Sequence, residues 1–159
     1  MNTPPARFRM ITPQFTVSSV LTKESVHFLH DQGCRKLITV SAGFASPEVV
    51  NAVKTRAMEV EHFPLDLFGD KILTEDQIKK VCAQILSKIK AGSNVHLVGG
   101  HEMTGVACTV GVLRMFVSEW PFSSAASEAL DICRFVDSDF VLRTIEHFDF
   151  TSLSHGSSY

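Results

Sequence analysis

Apolar positions along the first two thirds of this chain switch between the short runs of strands and the three-and-four spacing of amphipathic helices. Residues 8–17 read as β-rich, after which Thr22 can cap a helix to Gln32, with Val26, Phe28 and Leu29 turned inward and Gly33 as its stop. Leu37-Ile38-Thr39-Val40 carries the signal of a buried strand over residues 36–40. Ser46-Pro47-Glu48 combines a polar cap, a first-turn proline and an acid at the positive end of the helix dipole, so a helix is predicted to about Met58. A short strand follows over residues 59–65, then a loop over 66–71 with Asp66, Gly69 and Asp70. Thr74-Glu75-Asp76-Gln77 has the form of a capping box, and Ile78, Val81, Ile85 and Ile89 continue it as an amphipathic helix ending near Ala91-Gly92.

Residues 95–98 form the next predicted strand, followed by a Gly-containing turn and a helix over residues 104–117. Trp120-Pro121 breaks the chain before two more predicted helices, residues 123–136 and 138–148, and a Ser-rich tail without a core pattern. Alternating strands and helices predict a single α/β domain with a mostly parallel central sheet, one face covered by the helical C-terminal third. The expected organisation is a flexible lead-in over residues 1–7, one domain over 8–150 and a polar tail over 151–159, without repeats or a linker.

Composition narrows the function. The chain has 159 residues, 45% of them hydrophobic and 20% charged, which suits an ordinary core without disulfides or metal. A formal charge of −2 with no basic stripe argues against a nucleic-acid partner. Cys34, Cys82, Cys108 and Cys133 are scattered, with no C-x-x-C pair and no short spacing to histidine, so free thiols are expected and no metal or cofactor is. Residues 1–10 lack an apolar leader core, and no apolar run is long enough to span a bilayer; a cytoplasmic protein without a membrane partner is the expectation.

Candidate chemistry concentrates in His96-Leu97-Val98-Gly99-Gly100-His101-Glu102-Met103-Thr104-Gly105. A strand that turns through glycines into a helix points successive backbone N–H groups and a helix N-terminus at one spot, which favours an anion such as phosphate or sulfate. This stretch resembles the signature loop of the cysteine-dependent protein tyrosine and dual-specificity phosphatases, His-Cys-x-x-Gly-x-x-Arg-Ser/Thr-Gly. His96, Gly100, Thr104 and Gly105 fall on matching positions, whereas Leu97 stands at the nucleophile and Met103 at the phosphate-binding arginine. The opening, Phe8 through Ser19, and the order of elements to Phe148 are similar to the atypical dual-specificity phosphatases of plants and fungi and to related bacterial phosphatase-like domains. The resemblance implies their three-layer arrangement.

Both departures remove function. Leu97 has no lone pair with which to attack phosphorus, and Met103 offers a thioether where a guanidinium fork would hold two phosphoryl oxygens. Cys108 lies inside the predicted helix, where a small buried hydrophobe is expected rather than a nucleophile. The resemblance makes Asp66 the match for the family's general acid, with Asp70 second, although both also read as solvated loop carboxylates. It makes Thr104 the hydroxyl beside the thiolate, a residue expected here to serve as a helix N-cap, and His96 an orienting residue for the loop. A metal or acid/base set drawn from His62, His96, His101, Glu102 and Asp66 has no local ligand spacing behind it. The expectation is a catalytically inactive phosphatase-like binding or regulatory module with a residual anion loop. Two alternatives remain at this point: a hydrolase that activates water through Asp66 or a histidine, and a non-catalytic subunit of an active phosphatase relative.

Overall fold

Two strands, β1 (Arg9–Thr12) and β2 (Phe15–Ser18), occupy the β-rich opening. They separate at Pro13-Gln14, where proline pre-sets a turn and cannot donate to a ladder, so the segment folds back as an antiparallel pair. These assignments come from a computed structural model that describes residues 3–41, 46–64, 75–100 and 103–150. Within the lead-in, Pro5 is buried and the carbonyl of Ala6 accepts from the N–H and hydroxyl of Ser19, so residues 5–7 are tied to the end of β2.

Helix α1 (Lys23–Asp31) starts at Thr22, whose hydroxyl accepts from the Ser25 N–H while Ser25 reaches back to the Thr22 N–H. It ends where Gly33 takes a φ of 92°. Strand β3 (Cys34–Ser41) leads to α2 (Pro47–Thr55), capped by Ser46 as expected. This helix stops short of Met58. Ala57 is left-handed at φ 56°, and the Met58 N–H bonds back to the Val53 carbonyl at 3.1 Å, closing the helix end so that Met58 can enter the core. After β4 (Glu59–Pro64) come α3 (Glu75–Lys90), β5 (Asn94–Gly99), α4 (Thr104–Phe116), α5 (Phe122–Cys133) and α6 (Ser138–Glu146). The first residue of the expected capping box, Thr74, and the expected loop over 66–71 lie outside the described residues. α5 ends before the predicted Val136, because Arg134 and Phe135 are both left-handed.

The five strands are ordered β1-β2-β5-β3-β4, parallel except for the β1 edge. β5 is therefore central, flanked by β2 and β3. Alternation along it divides the interior in two: Val95 and Leu97 join the core beneath α3–α6, while Val98 joins that of α1 and α2. This is the expected α/β domain, with helices in layers on both faces of the sheet. α4 is buried from Gly105 through Leu113, and Gly111 leaves the space that the Ile145 side chain of α6 fills. It is a rigid support for whatever lies at its N-terminus. Among the described residues no helix is long and apolar enough to cross a membrane.

Candidate functional site

The candidate loop joins the C-terminal end of β5 to the N-terminus of α4, the edge of a parallel sheet at which ligands are usually held. Leu97 pairs with Val17 on one side and Ile38 on the other, is 0% exposed, and packs into the core under α4. The strand continues two residues past it, to Gly99. An ideal Cβ on Gly99 would come within 2.7 Å of Val106 Cγ2, so glycine is what lets β5 run this close to α4. The position that the resemblance aligns with the phosphatase nucleophile is filled by core hydrocarbon.

His96 faces the opposite side of the sheet, fully buried, with Nδ1 2.7 Å from Thr16 Oγ1 and Nε2 2.7 Å from Ser18 Oγ. Ser18 donates its own proton to the Ser19 carbonyl, so Nε2 carries the ring proton and donates to Ser18, while Nδ1 accepts from Thr16. Phe8 stacks on the ring at 6.0 Å. Burial pushes the His96 pKa down to about 3, which keeps the ring neutral. Among the described residues its partners are on β2, so it fastens the central strand to its neighbour.

Met103 is 2% exposed and left-handed, with φ 59° and ψ 23°. It occupies the N-cap position of α4 without a side-chain capping bond, which corrects the expectation for Thr104. The left-handed residue turns the chain into the helix one position earlier, so Thr104 becomes the first helical residue, and its hydroxyl donates to Asp137 Oδ2 at 3.3 Å. Gly100 follows the end of β5. His101 and Glu102, with Asp66 and Asp70, lie outside the described residues, and with them the middle of the expected anion loop.

His62 is on β4, where it bonds to Thr39, and among the described residues no three His, Cys, Asp or Glu side chains converge as a metal site would require. All four cysteines are free and buried. Burial raises every thiol, Cys34 to about 11 and Cys108 to about 12, which leaves almost no thiolate near neutrality. The native protein is therefore expected to react negligibly with a thiol-directed disulfide reagent at about pH 8 and to titrate all its cysteines once unfolded. Rapid native reaction of Cys108 would contradict this burial.

Sequence reading did not find a group that surrounds a cavity of about 270 Å³ beside Met103. Arg7 and Arg9 reach it from the start of β1, Asp131 and Ile132 from the end of α5, and Arg134 from the turn beyond. The available signal was the pair of arginines at positions 7 and 9, just before and at the start of β1. Arg134, more than a hundred residues away in sequence, could be added only by the fold.

No family model matches this sequence, and no curated protein matches it. Solved structures do. The core catalytic domain of the PP-IP phosphatase SIW14 of S. cerevisiae, in complex with citrate, superposes with a TM-score of 0.88 at 15% identity, over 99% of this chain and 94% of that one. P. aeruginosa TpbA gives 0.64 at 14% identity, over 89% and 92%, and human DUSP28 gives 0.66 at 13%, over 92% and 97%. The fold is that of the cysteine-dependent tyrosine and dual-specificity phosphatases.

Proposed function

We propose that this chain is a catalytically inactive phosphatase-like protein, a binding or regulatory module that keeps the phosphatase fold and some capacity for anions. The observation that carries the reading is the buried Leu97 at the nucleophile position, with Met103 at the arginine position. No thiolate can form a covalent phosphoryl intermediate there, and no guanidinium meets the charge that develops on the transferring group. Cys108 offers no substitute, since it is buried within α4 with its pKa raised. The citrate of the SIW14 structure is a polyanion, which fits a fold that accepts anions. The partner of such a module is a protein still to be identified, an active phosphatase relative being one candidate.

The experiment is an assay of phosphate release from aryl phosphates and phosphopeptides by the purified protein. The expected rate equals that of a heat-denatured control. A rate that survives repurification and disappears in Asp66→Asn would overturn the reading in favour of water activated by a carboxylate.

A further inference from the structure

We infer that Arg114 closes the open edge of β1 against strand pairing, and that it thereby keeps the chain from joining the β1 of a second copy. The inference goes beyond the proposed function and stands whether or not the protein turns over a substrate.

β1 is the outermost strand on its side of the sheet, and among the described residues only β2 pairs with it. An edge of this kind offers unpaired backbone N–H and C=O groups to any other strand. Here one of them is already taken. The pairing with β2 passes from Met10 opposite Thr16 to Thr12 opposite Phe15, so Ile11 falls in the irregularity and has no partner in the register. Its carbonyl instead accepts from Nη2 of Arg114, 3.0 Å away, in the last turn of α4.

Several groups hold Arg114 in place. Its Nε and Nη2 contact the two carboxylate oxygens of Glu128 on α5 at 2.8 and 3.1 Å, and its guanidinium lies 4.2 Å from the centre of the Trp120 ring. The Trp120 N–H returns to the Arg114 carbonyl at 3.0 Å. Both members of the ion pair are largely buried, with 13% and 10% of the side chain exposed. A buried pair is often no better for stability than apolar residues of similar volume, and Ile11, Leu113 and Val117 already line the adjoining groove with hydrocarbon. An apolar pair would leave the Ile11 carbonyl open, whereas the guanidinium fork has donors for both the carboxylate and the edge. Arg9, at the start of β1, adds a charge held by Asp131 and Glu128, and the strand is only 4 residues long; both features further blunt the edge. Met10, 59% exposed, is the apolar residue that an unguarded edge would present to its copy. Strand addition, a common means of capturing a partner segment, is closed here by the same contact.

The test is the mass of the whole chain in solution, measured by sedimentation over a range of concentrations, for the parent, Arg114→Met/Glu128→Gln and Arg114→Lys. The first variant removes the donor without leaving a buried carboxylate unpaired. The second keeps a cation beside Glu128 but loses the fork that serves Ile11 as well. Expected are a monomeric parent and concentration-dependent dimers of both variants, associating at least about tenfold more tightly than the parent, as hydrogen bonds gained on both sides of a two-fold pair would give. Adding Met10→Lys to either variant should return it to the monomer, since like charges would then face each other across the pair. A parent that dimerises and is dissociated by Met10→Lys would overturn the inference, because the edge would be open with Arg114 in place. So would an Arg114→Met/Glu128→Gln protein that melts cooperatively and stays monomeric, and so would variant dimers insensitive to Met10→Lys, which would put the contact on another surface. If the double variant does not fold, Arg114→Lys decides: dimers reversed by Met10→Lys uphold the closed edge, and a folded monomer overturns it.

Discussion

Between about pH 7 and pH 5 the folded state is expected to lose about 2 kcal/mol through His96 alone, and more below that. The folded pKa of about 3 lies below the ordinary imidazole value of 6.5, so in this window the unfolded chain binds a proton that the native state refuses. Stability from this group is complete above about pH 6.5 and is lost as the pH falls toward 3. The cause is burial: an imidazolium between Thr16 and Ser18 would have no water to solvate its charge. Burial lowers the His30 pKa as well and adds in the same direction, and Glu59, held low by Lys88, adds only in the carboxylate range. Urea midpoints measured across this window should fall steeply in the parent and much less in His96→Gln, whose amide keeps polar atoms between the strands without titrating. An undiminished slope in that variant would assign the acid sensitivity elsewhere.

The double substitution Leu97→Cys/Met103→Arg is expected to bring aryl-phosphate hydrolysis from nothing to a measurable rate, at least about a hundredfold above either single variant. Thiolate and guanidinium act as a unit. Cysteine alone at position 97 would be one more buried thiol with a raised pKa, as the native four are. Arginine alone at 103 would bind phosphate and deliver nothing to it. Together, the cation favours the thiolate and holds the phosphoryl group in line with it. The exchange carries a stability cost of about 1–3 kcal/mol from the shortened side chain at the fully buried position 97, so activity is to be read against a melting curve. A folded but inert double variant that binds phosphate would mean that the acid loop around Asp66 has also lost its role. One that neither binds nor turns over would mean that positions 97 and 103 do not make a phosphate site in this fold.

Elements with a strong local signal were legible. Thr22, Ser46 and Gly33 mark helix ends through capping bonds and backbone freedom that involve only nearby residues, and the helices they imply are present. The alternation of strand and helix was enough for a mostly parallel sheet, because short connections leave few other arrangements. Helix ends set by left-handed non-glycine residues were missed at Ala57 and at Arg134, as was the cap at Met103. Nothing in these side chains announces a positive φ; packing around them imposes it.

What the sequence determined by itself is the chemistry of each side chain in the β5–α4 stretch, because leucine cannot attack phosphorus and methionine cannot pair with an anion in any fold. The tertiary structure decided what those side chains do. Leu97 became core because β2 and β3 enclose it, His96 became a fastener because Thr16 and Ser18 on β2 face its ring, and Arg7, Arg9 and Arg134 became neighbours because β1 folds back along β2 and α5 ends against it. Side-chain chemistry is a property of each residue, but burial and proximity between distant segments arise only when the chain closes on itself.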